Sequence, residues 1–545
     1  MISNEHLYSL VEVNLHRNPE AVVFVEDNQK TSFREFDELC QQKEQWLRSQ
    51  GIAKGDAVAM WLVNSRHWLA FYFALARIGA TLVPLNTRYK SHEIGYMINK
   101  SQPRLLIMQN RFRKIDFADM FLQIGQEELN SLEVIAYFDP GETLPEVLQG
   151  IPVTSTATPG TQSSSEDSPD VNGASILFST SGTTSDPKLV MQTQANLVRH
   201  AHYCAKSYGM TKPASSLLSV LPFCGAFGLN AVLAAMAAGC PTVIMAAFDG
   251  SEAALLAQKY SISHIYGSDE LYRKLIDAAE GDQPFPMARL FGFGAFTSSF
   301  KEYALAAWER GIPLCGLYGS SEVMAIFSAQ TGDMPVREKI QGGGVPAAQH
   351  RVQLRIRDSG TGKLLPAGEA GEIEITGPTN FIGYLNNPEA TEKAFTHDGF
   401  YRTGDLGYLR PDGSLVYESR MGDSIRLGGF LVSPSEIEAV LKDMPAVEDA
   451  YIVGVEVEGK LRVVAFIKDD GRATLSEQQV IDNARQHLAA FKVPYKVWSM
   501  DEYPVTQSAN GLKVQRGKLR ALAEANLAEG ESATRAGQST AGTKL

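Results

Sequence analysis

The sequence predicts an α/β protein with a large N-terminal domain of stacked, mostly parallel sheets, a small barrel-like sheet, and a small mobile α+β domain at the C-terminal end. Three observations indicate this fold class. Strand-like and helix-like segments alternate through the first half of the chain, as they do in βαβ units. Residues 213–248 contain no charged side chain, as expected for buried layers. After Arg351, short strands separated by turn signals indicate antiparallel pairing.

The N-terminal segments justify the βαβ interpretation one by one. Apolar runs predict strands at residues 21–25, 56–62 and 81–84. Between them, apolar side chains at helical spacing predict helices at residues 32–49 and 67–78. An open sheet with parallel strands follows from this alternation.

The uncharged stretch at residues 213–248 is long enough to span a bilayer. Its prolines and glycines divide it into short pieces, however, and a membrane span would be continuous. We therefore interpret it as strands at residues 215–221 and 242–246 around a helix at residues 229–238. The stretch then forms a central layer covered on both faces.

The later part of the chain has a different pattern. Short strands are predicted at residues 352–357, 371–376 and 415–417, whereas the glycines of residues 342–344 predict a loop between sheet layers. Ser433 and Glu436 form a capping box with proline at the first helical position, so a helix is expected to begin there.

Composition excludes several classes of protein. Lys and Arg number 50 against 62 for Asp and Glu, so the net charge is −12 and a nucleic-acid coat or polybasic membrane binder is excluded. The five cysteines are scattered and form no C-x-x-C pair, which indicates a reducing compartment. The N-terminal residues lack a signal-peptide core, and we expect a cytoplasmic protein.

The strongest local motif is the loop of residues 178–188, which reads F-S-T-S-G-T-T-S-D-P-K. A strand runs into small hydroxylated residues, one glycine and then Lys188. Such a loop offers backbone N–H groups, hydroxyls and a cation to a polyphosphate. It lacks the spacing of a Walker A loop.

The order of motifs resembles that of the adenylate-forming superfamily, which includes acyl-CoA synthetases, carrier-loading adenylation domains and beetle luciferases. The resemblance runs from about Thr31 to Arg520. The matching segments are residues 78–85, 179–188, 318–322 (Y-G-S-S-E), 371–377, 383–384, 401–406 (Y-R-T-G-D-L), 419–429 and 510–516.

This resemblance implies a two-step reaction and two unequal domains. A carboxylate attacks the α-phosphate of ATP with Mg²⁺ present, and the thiol of coenzyme A then displaces AMP from the acyl-adenylate. The implied domains are residues 1–422 and a lid at residues 423–530, with a flexible tail at residues 531–545. The implied partners are small molecules. Neither nucleic acid nor a membrane segment is implied, and the question of whether the protein forms a homodimer is left open.

The resemblance also implies roles for individual residues. Lys513 is the expected cation of adenylation, with Lys518 as its rival; Glu322 is the expected Mg²⁺ ligand, and Thr184 joins them as catalytic. Asp423 is the expected hinge, and Gly428 and Gly429 are expected to line the thiol tunnel. The expected nucleotide-binding residues are Thr180, Ser181, Gly182, Thr183, Thr184, Lys188, Gly294, Ala295, Tyr318, Gly319, Ser320, Ser321, Asp405 and Arg420.

The acyl pocket departs from the family pattern in informative ways. Gly225 stands where a histidine or aromatic side chain is common, which implies a wider pocket, and Gly316 stands where asparagine is common near the adenine. Amino-acid-activating members of the superfamily have an aspartate in this block that pairs with the amino group, whereas residues 215–248 contain no acidic side chain, so the resemblance implies a carboxylic acid without an amino group. The expected pocket walls are Phe223, Gly225, Phe227, His264, Tyr266, Phe293 and Leu317, with a core histidine as the alternative for His264.

Two other functions compete with a CoA ligase. One is a free-standing enzyme that loads an acyl group onto the phosphopantetheine of a carrier protein. The other is a catalytically silent binder of nucleotide or acid. Retention of Glu322, Asp405, Arg420 and Lys513 argues against the silent binder.

Overall fold

The computed structural model describes residues 5–138, 144–158, 170–180, 187–294, 300–358, 361–421, 425–427, 430–432, 434–472, 475–508 and 511–541. The chain divides into two compact units. The first comprises Met1–Thr180 and Lys188–Met421, and the second is built mainly from Gly422–Leu545.

The helices of the first unit alternate with its strands, as the sequence predicts. They are α1 (Ser9–Arg17), α2 (Phe33–Ser49), α3 (Arg66–Ile78), α4 (Ser91–Ser101), α5 (Phe117–Leu122), α6 (Gln194–Ser207), α7 (Ala226–Ala238), α8 (Gly250–Lys259), α9 (Asp269–Asp277), α10 (Phe300–Glu309), α11 (Val336–Lys339) and α12 (Pro388–Ala394).

The strands of the first unit include those predicted near residues 21–25, 56–62, 81–84, 352–357 and 371–376. They are β1 (Val22–Glu26), β2 (Gln29–Ser32), β3 (Ala57–Trp61), β4 (Thr81–Pro84), β5 (Leu105–Gln109), β6 (Arg111–Phe112), β7 (Ile115–Asp116), β8 (Val134–Phe138), β9 (Val147–Leu148), β10 (Ile151–Ser155), β11 (Ala174–Thr180), β12 (Lys188–Thr193), β13 (Leu217–Ser219), β14 (Thr242–Ile244), β15 (His264–Ser268), β16 (Leu290–Gly294), β17 (Leu314–Ser320), β18 (Met324–Ala329), β19 (Gly343–Pro346), β20 (Gln353–Arg357), β21 (Gly371–Thr376), β22 (Gly383–Tyr384), β23 (Tyr401–Leu409) and β24 (Leu415–Arg420).

Two large sheets organise the described part of this unit. One has the order β22-β12-β11-β4-β3-β5-β8-β10-β9, and its central pairs are parallel. The other has the order β2-β1-β14-β13-β15-β16-β17-β18-β19-β24-β23-β21-β20. Its pairs are parallel from β1 to β17 and antiparallel from β17 onward. The predicted α/β fold class is therefore confirmed.

The antiparallel strands predicted as a separate small sheet continue the second large sheet. Strand β19 makes the connection, because it pairs with β18 on one side and β24 on the other. The predicted loop at residues 342–344 is therefore wrong for Gly343 and Gly344, which begin this strand. A Cβ at Gly344 would lie 2.0 Å from the Ala329 carbonyl oxygen, and both glycines have positive φ. Close backbone approach, and not a surface turn, explains these glycines.

The uncharged stretch at residues 213–248 folds as predicted into β13, α7 and β14. Helix α7 is buried along most of its length and ends at Gly239, whose φ of 69° is the left-handed conformation that glycine adopts readily. Among the described residues, no helix combines the length and apolar character needed to cross a membrane.

The second unit is an α+β assembly with its own apolar core. Its elements are β25 (Ile425–Leu427), β26 (Phe430–Val432), α13 (Pro434–Lys442), β27 (Val447–Val457), β28 (Lys460–Asp469), α14 (Glu477–His487), β29 (Lys496–Ser499), β30 (Val505–Ser508), β31 (Gly511–Val514) and α15 (Arg516–Ala541). Helix α13 begins at Pro434, as the capping signal predicts. Residues 531–541, which the sequence assigns to a flexible tail, belong to α15, which ends at Ala541.

The start of α2 offers a direct test of the sequence signals. Ser32 Oγ accepts a hydrogen bond from the Glu35 N–H at 3.2 Å, and Glu35 Oε2 accepts one from the Ser32 N–H at 2.7 Å. We predict that Ser32→Ala removes this capping box and destabilises the first unit by about 1 kcal/mol. Calorimetric unfolding measures the loss. Ser251→Ala, at an exposed position of α8, is the control and should leave the transition unchanged; equal losses would contradict the prediction.

Candidate active site

A buried hydrogen bond joins the end of β17 to β23. The Tyr318 hydroxyl donates to Asp405 Oδ2 at 2.8 Å, and both side chains are almost fully buried. The Tyr318 ring lies 5.5 Å from that of Tyr417, with the two planes inclined at 34°. The two tyrosines and the Asp405 carboxylate thus lie together. Their proximity could not be predicted from the sequence, because the motifs at residues 318–322 and 401–406 are far apart in the chain.

The backbone around Asp405 is also fixed. Its N–H donates to Thr403 Oγ1 at 3.0 Å, and its Cα is paired directly with that of Arg420 on β24. The sequence predicts a shared nucleotide role for Asp405 and Arg420, and the sheet register places their backbones side by side. The Arg420 side chain lies outside the described residues.

Glu322 lies in the short connection between β17 and β18, and three groups hold its backbone. Gln192 Nε2 donates to the Ser321 carbonyl at 2.7 Å, the Phe381 N–H donates to the Glu322 carbonyl at 2.7 Å, and the Glu322 N–H donates to Ser320 Oγ at 3.3 Å. Gln192 is completely buried on β12. The connection therefore presents the Glu322 carboxylate from a fixed backbone.

Tyr384 links two of the predicted residues. Its hydroxyl donates to Glu322 Oε1 at 3.0 Å, and the Lys188 Nζ lies 4.8 Å from the centre of its ring. The carboxylate and the lysine thus contact the same aromatic side chain. Lys188 makes a cation–π contact with the face of the ring, and Glu322 accepts the hydrogen bond from its hydroxyl. Sequence reasoning did not assign Tyr384 a role, although the Gly383-Tyr384 segment was part of a motif.

The predicted phosphate loop connects two paired strands. Thr180 at the end of β11 is opposite Lys188 at the start of β12. The loop residues Ser181, Gly182, Thr183 and Thr184 lie outside the described residues, so their predicted phosphate contacts stay predictions. The paired residues Thr180 and Lys188 define the two positions from which the loop extends.

Gly316 and Gly319 on β17 have no room for a side chain. A Cβ at Gly316 would lie 1.8 Å from the Gln341 carbonyl oxygen, and a Cβ at Gly319 would lie 2.3 Å from the Ala325 carbonyl oxygen. Gly316, which departs from the family pattern, is therefore required by the close approach of the 341–342 backbone.

Part of the predicted acyl pocket is assembled on one face of the second sheet. Tyr266 and Leu317 converge over Gly292, where an added Cβ would lie 2.9 Å from Tyr266 Cδ1 and 2.8 Å from Leu317 Cδ1. The Phe227 ring of α7 lies 6.5 Å from that of Tyr266. At Gly225, which caps α7, an added Cβ would have only the Pro222 carbonyl within 4 Å, at 3.7 Å. Gly292 is a member of this face that sequence reasoning missed.

Three predicted pocket residues are placed differently. Phe293 lies on the opposite face of the sheet, where its ring packs against Tyr272 and Phe300, because neighbouring residues of a strand point to opposite faces. Phe223 packs edge-on against Trp68 in the core. His264 is fully buried with both ring nitrogens bonded, to Ser263 Oγ at 2.7 Å and the Tyr208 carbonyl at 2.9 Å.

His264 therefore corresponds to the core histidine that the sequence left as the alternative. Burial lowers its pKa to about 4, so the ring is neutral at pH 7. Of the two nucleotide residues predicted beside the pocket, Gly294 ends β16 opposite Ser268. Ala295 lies outside the described residues.

In the second unit, Lys513 lies on β31, where its Cα is opposite that of Thr506 on β30. The following Arg516 fixes the start of α15, because its guanidinium donates to Glu438 Oε1 at 2.5 Å and to the Ile452 carbonyl at 2.7 Å. The rival Lys518 is exposed on α15. Asp423, Gly428 and Gly429 lie outside the described residues, as does the side chain of Lys513.

Comparison with known proteins identifies the family. The model of the AMP-binding enzymes matches residues 11–385, and that of the AMP-binding enzyme C-terminal domain matches residues 436–510. This chain therefore belongs to the AMP-binding enzymes, in the acyl-CoA synthetase branch of the adenylate-forming superfamily.

Several curated relatives are CoA ligases. The 2-succinylbenzoate–CoA ligase of Geobacillus sp. (strain WCH70) is 29% identical over 515 residues, which cover 92% of this chain and 95% of the relative. The crotonobetaine/carnitine–CoA ligase of Escherichia coli O7:K1 (strain IAI39 / ExPEC) is 30% identical over 464 residues, 82% of this chain and 84% of the relative.

Solved structures show the same fold at lower identity. The o-succinylbenzoate CoA synthetase of Bacillus subtilis superposes with a TM-score of 0.79 at 23% identity, covering 94% of this chain and 98% of that one. The amide bond synthetase of Marinactinospora thermotolerans gives a TM-score of 0.81 at 22% identity, covering 95% and 99%.

The contact between Tyr384 and Glu322 generates one prediction. Tyr384→Phe keeps the aromatic face for Lys188 but removes the hydrogen bond to Glu322, so the KM for ATP should rise about 3- to 10-fold. Steady-state kinetics at saturating acid measures this. Tyr303→Phe, which loses a surface hydrogen bond to Asp277 at 2.6 Å, is the control. An unchanged KM in Tyr384→Phe would show that this hydroxyl does not position Glu322.

The close packing around Gly316 leads to a second prediction about this site. We predict that Gly316→Asn, which restores the residue common in the family, lowers both thermal stability and activity, because its Cβ meets the Gln341 carbonyl. Differential scanning calorimetry and ATP turnover measure the two effects. Gly517→Asn, at an exposed position of α15, serves as the control for thermal stability, since nothing lies within 4 Å of an added Cβ there and its φ is not positive. A stable Gly316→Asn variant with tighter ATP binding would contradict the prediction.

Proposed function

We propose that this protein joins a carboxylic acid without an amino group to coenzyme A through an acyl-adenylate, using ATP and releasing AMP and pyrophosphate. The observation that supports this best is the arrangement at the end of β17. Tyr318 lies on this strand and Glu322 follows it by four residues. Tyr318 donates a hydrogen bond to Asp405, and Glu322 accepts one from Tyr384, whose ring also contacts Lys188. The carboxyl ends of parallel strands are where α/β proteins bind their ligands.

In the first step, a carboxylate oxygen of the acid attacks the α-phosphorus of ATP, and the bond to the leaving pyrophosphate breaks. Both reactants are anions, so the site has to bring them together and neutralise the charge that grows at phosphorus. We assign the adenine and ribose to Tyr318 and Asp405, whose carboxylate accepts hydrogen bonds from the ribose hydroxyls. We assign the phosphates to Lys188 and the loop that begins after Thr180.

In the second step, the thiol sulfur of coenzyme A attacks the acyl carbon, and AMP leaves with the bonding electrons of the acyl–oxygen bond. The thiol proton is lost to solvent. Neither step requires a covalent intermediate on the protein, and the five cysteines, all free thiols, need no catalytic role. We propose that rotation of the second unit at Asp423 exchanges Lys513 for the tunnel at Gly428 and Gly429 between the steps.

Mg²⁺ fits this site through Glu322. The carboxylate is largely buried, one of its oxygens accepts the Tyr384 hydroxyl, and hard cations prefer such oxygen ligands. Among the described residues, no group of three or more His, Cys, Asp or Glu side chains could hold a metal ion. One carboxylate together with substrate phosphates is a common way for proteins to bind Mg²⁺. When bound, Mg²⁺ supplies positive charge to the phosphate oxygens.

The charge of the pocket segment supports the assignment of an acid without an amino group. A buried ammonium group requires a carboxylate partner. Residues 215–248, which include α7, contain no acidic side chain. The pocket face formed by Phe227, Tyr266 and Leu317 is uncharged, which suits an acyl chain.

Two assays test this proposal. A panel of carboxylic acids should include at least one that supports exchange of labelled pyrophosphate into ATP, and that acid should then release AMP when coenzyme A is added. If no acid supports exchange, the proposal of an adenylating enzyme is wrong. If exchange occurs but only a holo carrier protein releases AMP, the acceptor is wrong and the adenylation step is right.

Lys513→Ala should lower the rate of acyl-adenylate formation by about 100-fold or more, because the variant lacks the cation that meets the developing charge. Thioester formation from a supplied acyl-adenylate should continue. Lys518→Ala is the matched control and should keep both rates. If Lys518→Ala shows the loss instead, the assignment belongs to the rival lysine.

A further inference from the structure

Several side-chain polar atoms are buried without a hydrogen-bond partner in the described part of the chain, and two of them belong to α7 and to strand β15, against which it packs. These two are Asn230 Oδ1 and Tyr266 Oη. Tyr266 is 2% exposed and Asn230 is 1% exposed. A buried polar group that forms no hydrogen bond destabilises the folded protein, so its presence requires an explanation.

Both side chains belong to the same layer. Tyr266 on β15 contacts the Phe227 ring of α7 and converges with Leu317 over Gly292. Asn230 lies three residues after Phe227, on the same side of α7, and its Nδ2 is 3.6 Å from Met324 Sδ on β18. The two unpartnered atoms therefore lie between α7 and the sheet, where the proposed acyl pocket is.

Other tyrosines packed on these strands have partners. The Tyr272 hydroxyl, on the opposite face, donates to the Ile265 carbonyl at 2.7 Å, and the Tyr208 hydroxyl lies 3.3 Å from the Ile326 carbonyl. The fold thus satisfies these buried hydroxyls with nearby carbonyl groups. Tyr266 is the exception among these three, and its hydroxyl is on the pocket side.

The groups that face Tyr266 are neutral at pH 7. The charges that would act on it come from Cys204, Cys315 and Cys240, and burial raises the pKa of all three thiols, to about 12 for Cys315 and Cys240. On α6, burial lowers the pKa of His200 to about 3. A charged group on a ligand would find no partner here among the described residues, and its burial would be unfavourable.

We propose that Tyr266 and Asn230 form a hydrogen-bonding subsite for a neutral polar group, a hydroxyl, on the acyl chain of the acid. This inference rests on the proposed function. A hydroxyl both donates and accepts, so it suits either atom: it can donate to Asn230 Oδ1 or accept from the Tyr266 hydroxyl. A plain hydrocarbon chain would leave both protein atoms unpartnered in the complex. A second carboxylate or an amino group would lack a counter-charge.

The test compares pairs of straight-chain and phenyl-substituted acids of equal length, with and without a hydroxyl at each position. The measured quantity is the ratio of kcat/KM for the hydroxylated acid to that for its plain partner. In the wild-type protein the best hydroxylated acid should exceed its partner by about tenfold or more. Tyr266→Phe and Asn230→Leu should each reduce this ratio toward one.

Tyr272→Phe is the matched control, because it removes a hydroxyl that is bonded within the fold. It should lower the melting temperature and leave the ratio unchanged. Tyr266→Phe, by contrast, removes an unpartnered hydroxyl and should not lower the melting temperature of the ligand-free protein. A structural role for Tyr266 would produce the opposite result.

Three outcomes overturn the proposal. They are equal use of plain and hydroxylated acids by the wild-type protein, an unchanged ratio in Tyr266→Phe, and a loss of thermal stability in Tyr266→Phe equal to that in Tyr272→Phe. Calorimetric titration of each acid pair measures binding independently of turnover. Selective binding of the hydroxylated acid without pyrophosphate exchange would support the subsite while rejecting the proposed function.

Discussion

The hydrogen bond from Tyr318 to Asp405 is the interaction on which the candidate site depends. It joins the last parallel strand of the large sheet, β17, to the antiparallel strand β23, which is separated from it in the sheet by β18, β19 and β24. A hydrogen bond to a buried carboxylate is stronger than one between neutral groups. It therefore fixes the two segments to which we assign adenine and ribose in one position relative to each other.

That arrangement depends in turn on glycines that allow backbones to approach closely. Gly316 and Gly319 leave room beside β17 for the Gln341 and Ala325 carbonyls, and Gly343 and Gly344 allow β19 to pair on both of its edges. Any side chain at these positions would meet backbone atoms, which cannot move aside as a flexible side chain can. The glycines therefore serve the continuity of the sheet, and through it the position of Glu322 and Asp405.

The acyl side of the site differs from the nucleotide side in that its side chains are uncharged. The face formed by Phe227, Tyr266 and Leu317 is apolar except for the unpartnered hydroxyl of Tyr266. Its surroundings are neutral because burial keeps thiols protonated and histidines uncharged. Charge is thus concentrated where the phosphates are expected, at Glu322 and Lys188. The protein's net charge of −12 offers no attraction to ATP or coenzyme A, so binding has to come from these local groups.

The sequence by itself determined the fold class, the family and the order of the motifs, because periodicity, capping signals and short motifs are local properties of the chain. It could not place Tyr384 beside Glu322 and Lys188, nor Gln192 beneath Ser321, since these contacts join distant segments. It also grouped Phe293 with Tyr266, although strand register puts them on opposite faces. Only the tertiary structure decided which side chains share a face and which buried polar atoms lack a partner, because both depend on the packing of elements far apart in the chain.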